Sequence, residues 1–531
     1  MSPSGGSPQL ALHRTDHLIG YQEASESAWT APHVAQHATL VDLVELFFEI
    51  VYPIFPLFHQ PSFVRRISRA EYTCDRSLFA VTMAVCALVS ARVRDGAVFN
   101  PRWDVEGLQE PRPHAYYIEA TRQASQIPTK SDLNTLRTHA ILALAAIQEG
   151  KTRDMHEHLG RYHTVLAMEG LHDEDNWPAG LGLVETEERR RLFWSIYTLD
   201  VFTSIAWGGV IRSREHQFNV AYPIEVDDDM FDDAGLTNTA LPLDSPSALH
   251  VSTPAGAFHV SWLAGRNFQT DLFRVLEHVV MQLPAQKPRA QRHLFMDEGL
   301  SHGARFSQES VLASVMQLYA DLPPCLKEIN AVASKPRLDR FGFQAADNLA
   351  TVQLLRMVLL SATGSSITER CRVVNEVVTA FVSIPTAYHH AISVPLLFHL
   401  SVIGQILGAT LGQPLCERDY RGIRDAMLSL VQLLSTLECL HASKGASQRL
   451  KDQITLIDDY MLSMGQNARN PRMAIPQTTG EAQHESLSEA LYSATDVTAP
   501  DETLDLSQLQ LPSDLLGDFS QIFDFAGLSQ S

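Results

Sequence analysis

The residues of this sequence able to do chemistry are first of all histidines and carboxylates at close spacing. His156, Glu157 and His158 begin as a zinc metalloprotease signature begins, in which a second histidine four residues after the first completes the metal's protein ligands and the glutamate acts as base. Gly160 stands at that place. His163 follows on the same stretch, but His156 and His158 lie about 200° apart around a helix, so a shared metal is not expected and packed or solvated histidines are. His389–His390 is a similar isolated pair. Asp227, Asp228 and Asp229 are hard oxygen ligands that could hold a divalent cation, although a solvated loop or a helix start is the simpler role. None of G-x-G-x-x-G, G-x-x-x-x-G-K-[ST] or G-x-S-x-G occurs. No serine or cysteine can be placed beside a histidine and an acid from sequence alone. The expectation is therefore a protein that is not an enzyme.

Cysteine spacing and charge narrow the partners. Cys74, Cys86, Cys325, Cys371, Cys416 and Cys439 include no C-x-x-C pair, so a zinc site on short spacings is not expected. They read as reduced core residues. The net charge of −20 opposes binding to a polyanionic duplex. After Arg472 there is no Lys or Arg, and ten acids lie in that stretch, half of the excess charge.

These residues need elements to position them, and the elements read as helices. Hydrophobic residues make up 45% of the 531, enough for a large core. Residues 1–36 are polar and unpatterned, a flexible leader. From Leu40 apolar residues recur at helical spacing up to Pro53 and Pro56. Further helical stretches are expected over 76–93, 116–125, 133–149, 155–168, 186–204, 259–283, 308–319, 345–362, 368–383, 396–411, 420–440 and 448–462. Residues 208–256, rich in Pro, Gly and Asp, read as an extended excursion. The segment 391–411 is apolar enough to weigh as a membrane span. Pro395, His399 and Gln405 interrupt it, and a buried helix is the better reading, with Gly404 and Gly408 admitting a close neighbour. The fold class is all-α: a multi-helix domain over 37–465, a disordered linker over 466–502 and an acidic-hydrophobic segment over 503–531. In that last segment Leu515, Leu516, Phe519, Ile522 and Phe523 would share one helical face among acids.

Three stretches carry a family pattern. They are LVELFFEIVYPIFPLFHQPSF (43–63), HEHLGRYHTVLAMEGLHDED (156–175) and ETEERRRLFWSIYTLDVFTSIAWGGVIRSREHQFNVAYPIEVDDD (185–229). The third is the strongest: Glu185, the arginines Arg189, Arg190 and Arg191, then Phe193–Trp194, Tyr197 and Asp200, and later Pro223 and Asp227–Asp228. In order and spacing these resemble the regulatory domain, or middle homology region, of fungal binuclear zinc-cluster transcription factors. The family's Gly-Arg-Pro turn is replaced by Gly208–Gly209–Val210.

The resemblance implies a nuclear transcription regulator of a fungal pathway, an activator whose acidic segment engages a coactivator. It also leaves room for a small-molecule effector. No membrane partner is implied. The family's cysteine cluster and basic segment do not occur in these 531 residues. DNA binding is thus expected from a missing zinc cluster or from a partner protein, and zinc is expected only with an upstream cluster. A cluster-free co-regulator acting by protein–protein contact is the alternative, ahead of an enzyme on a helical scaffold. In purely physical terms the third stretch is a core helix. Its arginines sit at the start, where the helix dipole disfavours them, and Glu185, Glu187, Glu188 and Asp227 to Asp229 are there to offset them.

Overall fold

A computed structural model describes residues 29–126, 132–207, 210–236, 251–252, 258–282, 308–329, 331–333, 335–362, 365–409, 416–438 and 446–469. The leader up to residue 28, Gly208–Gly209 and everything after Arg469, including Leu515, Leu516, Phe519, Ile522 and Phe523, lie outside the described residues. Within them the fold is all-α. The only strands among the described residues are two two-residue antiparallel ladders, Phe231–Asp232 with Gly235–Leu236 and Val251–Ser252 with Phe258–His259.

The first six helices are α1 His37–Ile50, α2 Gln60–Ser68, α3 Arg76–Arg94, α4 Pro113–Ala124, α5 Leu133–Glu149 and α6 Thr152–Met168. Local chemistry sets their ends. Asp75 caps α3 by accepting from Leu78 N at 3.0 Å, and Asp132 caps α5 by accepting from Thr135 N at 2.8 Å. Gly150 takes φ +78° just after α5, a left-handed turn that glycine adopts without a Cβ penalty. Helix α3 is apolar on all sides because it packs against α1, α4 and α5 together. By length and hydropathy it could cross a membrane, but 89% of its apolar window is buried inside this fold.

Helix α7, Leu183–Trp207, runs between the two halves of the chain, touching α5 on one side and α8 and α13 on the other. Its start is capped from a distance by Asp233, which accepts from Val184 N at 3.1 Å. Every residue from Arg191 to Trp207 is buried. The second half holds α8 Leu263–Gln282, α9 Gln308–Asp321, α10 Pro336–Ala362, α11 Ile367–Ser383, α12 Thr386–Ile392, α13 Val394–Gly408, α14 Glu417–Glu438 and α15 Ala446–Arg469. The halves share one core. Phe202 of α7 stacks on His399 of α13 with centroids 4.7 Å apart, and Trp207 meets Phe398 at 4.4 Å. The buried Arg92 of α3 donates to Ile50 O at 3.0 Å and also to Ala391 O.

Three elements differ from the sequence expectation. Helix α2 was not expected: it is short and polar, carries Pro61 in its first turn, and buries only Phe63 and Ile67. Helix α10 begins at Pro336, not near 345, because Asp339, Arg340 and Gln344 are buried polar residues that interrupt its apolar pattern. The apolar run 391–411 is not one helix. It breaks at Ser393, which has φ +61°, and α12 and α13 meet at 94°. The corner is held by Ser393 Oγ donating to Gln148 Oε1 at 2.9 Å. The glycines act as expected: a Cβ on Gly404 would lie 2.7 Å from Leu450 and 2.8 Å from Leu430, so α14 and α15 seat directly on α13.

Candidate functional site

The family-like stretch on α7 is a clamp for the segment 210–236. Residues 187, 190, 191, 194 and 197 lie within about 120° around the helix, with Asp200 about 60° further round, and each holds the segment or its support. Glu187, fully buried, accepts from Ile224 N at 2.8 Å and pairs with Arg190 at 2.9 Å. Arg190 also pairs with Glu174 at 2.7 Å, and Glu174 in turn accepts from Ala221 N at 2.8 Å. Trp194 donates from Nε1 to Ala221 O at 3.0 Å and stands edge-on to Tyr222 at 4.8 Å. Phe193 and Tyr197 meet Phe218 edge-on at 4.8 and 5.9 Å. Tyr197 OH donates to Glu277 Oε2 at 2.6 Å, and the same oxygen accepts from Glu215 N at 3.1 Å. Pro223 is fixed through its carbonyl, which accepts from Asn267 Nδ2 at 3.0 Å.

Arg191 and Asp228 close the clamp at its far end. The guanidinium, buried completely, donates to Asp228 Oδ1 at 2.6 Å, while Tyr52 OH and Gln60 N (2.7 Å) donate to Oδ2. Burial raises the Asp228 carboxyl pKa, but the Arg191 charge and the two donors outweigh it and hold the group below the usual carboxylate range. Tyr52 is pushed the other way, first by burial and then by the Asp228 charge. The expectation of a solvated aspartate run is thus corrected at Asp228, which is buried because it is the counter-ion of Arg191. Its neighbours diverge from it: Asp227 accepts from Ser261 Oγ at 2.7 Å, and Asp229 pairs with Arg337 at the surface.

The other sequence candidates divide the same way. Arg189 pairs with Glu185 one turn earlier at 2.6 Å. Glu188 does not serve the arginine run. It accepts from His59 N at 2.7 Å and pairs with Arg137 at 2.7 Å. Glu174, Tyr52, Arg137 and Arg212 were not nominated from sequence. Tyr52, Glu174 and Arg212 lie within the first, second and third family-like stretches, so a signal existed; Arg137 lies outside all three and left none.

The histidines of α6 also separate. His156 meets Arg212 Nη2 at 3.0 Å. His158 is buried between Tyr117 OH at 2.9 Å and the His139 Nδ1 at 3.3 Å. His163 faces Asp200 and Ser213, bringing together a serine, a histidine and an aspartate that sequence could not. The Ser213 Oγ–His163 Nδ1 distance is 3.0 Å, but His163 Nε2 stands 3.6 Å from Asp200 Oδ1, beyond hydrogen-bond reach. Asp200 is instead committed to Arg212 and Ser213: it accepts from Arg212 N at 2.5 Å, Arg212 Nη1 at 2.7 Å and Ser213 N at 3.1 Å. Ser213 is itself buried. The arrangement anchors the start of the clamped segment to α7; it does not present a hydroxyl to a substrate.

Residues 44–257 match the fungal specific transcription factor domain. The chain carries this domain, and α7 with its clamped segment lies inside it. Among curated proteins it is similar to Activator of stress genes 1 of Saccharomyces cerevisiae, 22% identical over 231 residues, 43% of this chain and 22% of that protein. Activator of stress genes protein 1 of Candida albicans is 20% identical over 319 residues, 57% of this chain and 30% of that one. An uncharacterized transcriptional regulatory protein of Schizosaccharomyces pombe is 26% identical over 188 residues, 35% and 28% of the two chains. The match spans less than a third of each relative's length.

Proposed function

We propose that this chain is a nuclear transcription regulator, an activator in a fungal pathway. The observation that carries the reading is the match over 44–257, whose central motif has a complete physical role in the clamp on α7. In this reading the helical domain is a regulatory body. Residues 503–531 recruit a coactivator by folding on its groove, with Leu515, Leu516, Phe519, Ile522 and Phe523 as anchors. DNA contact comes from a zinc cluster not found in these residues or from a partner protein, because a charge of −20 and the cysteine spacing favour neither DNA nor zinc here. The body responds to a small-molecule effector.

A reporter assay tests the reading. The full chain fused to an unrelated DNA-binding domain is expected to activate, and so is the fusion of residues 501–531 alone. Replacing the five anchors by Ala should abolish both signals and leave the melting temperature of the full chain unchanged. Inert wild-type fusions, with a lowered melting temperature for the anchor variant, would assign the segment a purely structural role.

A further inference from the structure

The seam between the two halves gathers more hydrogen-bond donors than acceptors. Tyr52, fully buried, is its centre. The Arg340 guanidinium from α10 lies 5.0 Å from the Tyr52 ring and 5.5 Å from the Trp262 ring, and those rings lie 5.0 Å from each other. Arg191 Nη1 reaches Tyr52 OH at 3.3 Å from the other side. Arg191, Arg340 and Trp262 are each more than nine-tenths buried. Four of their nitrogens have no acceptor among the described residues: Arg191 Nε and Nη2, Arg340 Nε and Trp262 Nε1.

Charge is unbalanced in the same direction. Two guanidiniums face one carboxylate, Asp228, which is already filled by Arg191, Tyr52 OH and Gln60 N. The other nearby acids are engaged elsewhere: Asp227 with Ser261, Asp229 with Arg337, and Glu188 with Arg137 and His59 N; Asp339 accepts from Ala333 N at 2.7 Å on Oδ1, and its Oδ2 is the one buried acid oxygen without a partner among the described residues. The faces of Tyr52 and Trp262 partly offset the Arg340 charge but accept none of its hydrogen bonds. A buried cation and several unmet donors are costly, and an oxyanion answers both because guanidinium forks match carboxylate and phosphate oxygens. The Arg340 contact to Gln60 Oε1, at 2.5 Å, is only part-buried, which puts the open side there.

We propose that Arg191, Arg340 and Trp262 together receive one small oxyanion, the carboxylate or phosphate group of an effector, at the seam of the domain. Arg191 belongs to the first half, Trp262 and Arg340 to the second, so the ligand ties the halves together. The proposal rests on the effector part of the function above and gives that effector a chemical class.

Calorimetric titration of the full chain with inorganic phosphate and, separately, with malonate tests it, against sodium chloride of matched ionic strength. At least one of the two anions is expected to bind with a saturable stoichiometry near one, and the two arms separate a phosphate from a carboxylate ligand. R340Q should weaken that binding at least tenfold, and W262F, which removes a single N–H donor, several-fold. R372Q on the exposed face of α11 should not change it. Circular dichroism reports whether each variant folds, and if R340Q does not, W262F alone decides. No saturable binding of either anion overturns the proposal and leaves these donors to water. So does unchanged affinity in the folded variants. A reporter that activates while neither anion binds overturns this site without touching the activation reading.

Discussion

His139 and His158 put two imidazoles in one buried place, and protonation of either would bring charge where little solvates it. Burial pushes both down to about 4; the partner ring and then Arg161 depress His139 further, whereas the Glu157 and Asp154 charges partly oppose the fall of His158. Burial lowers His389 to about 4 as well, and lowers His156, His390 and His399; His278, hydrogen-bonded to Glu215, moves up. A histidine depressed in the folded state takes up protons more readily when unfolded, so stability rises with pH wherever the unfolded chain holds more protons. The contribution is complete above the unfolded value of about 6.5 and is lost as pH falls toward 4, at up to about 1.4 kcal/mol per pH unit for each group. We expect the melting temperature to drop between pH 7 and pH 5, and H158Q to make that drop smaller. A flat profile over this range, measured by thermal unfolding, would contradict the burial of the pair. The sequence placed His158 off the face of His156 but could not supply Tyr117 or His139 as its neighbours, because 41 and 19 residues separate them.

Helices were legible wherever burial follows the helical period, and became illegible where buried groups are polar. The ends of α5 and α6 were visible in their glycines. The first turns of α10 were not, because Asp339, Arg340 and Gln344 are buried as hydrogen-bonding groups and so read as surface. The corner at Ser393 was hidden for the opposite reason: the run is apolar on both sides of it, and the break is held by residues of other helices, Gln148 and Arg92 among them. The α7 motif was half legible. Glu185–Arg189 and Glu187–Arg190 are neighbours on one helix, whereas Arg191–Asp228 and Arg190–Glu174 exist only after folding. Trp194 tests this element. Its ring fills the space between α7 and Tyr222, so W194A should cost about 3–5 kcal/mol. W194F keeps most of the packing but loses the bond to Ala221 O, and its melting temperature should fall between those of W194A and the wild type. Melting of W194A with the wild type would mean the clamp does not carry the segment.

The whole chain is acidic, and several of its arginines are spent inside it. Arg92, Arg137, Arg191, Arg266, Arg340 and Arg356 are all buried, so they are not displayed for phosphates of a duplex. With a net charge of −20, purified chain should neither retard duplex DNA at nanomolar concentration nor copurify with stoichiometric zinc. Mobility shift and metal analysis read the two directly. A salt-sensitive tight complex, or about two zinc ions per chain, would mean that DNA contact is built from these residues after all.

The hydrogen bond from Arg92 to Ala391 O also sets a schedule for synthesis. The two residues are 299 positions apart, and ribosomes add about 5–20 residues per second. The guanidinium therefore waits about 15–60 s for its acceptor after it leaves the peptidyl-transferase centre. Phe202 and Trp207 of α7 likewise lack His399 and Phe398, 197 and 191 positions further on, for about 10–40 s. The stretch that matches the family ends at residue 257, before any of these partners has been made. The boundary drawn by the family match is thus not a boundary of folding: until those partners are made, the nascent first half carries an apolar face with nothing yet to cover it.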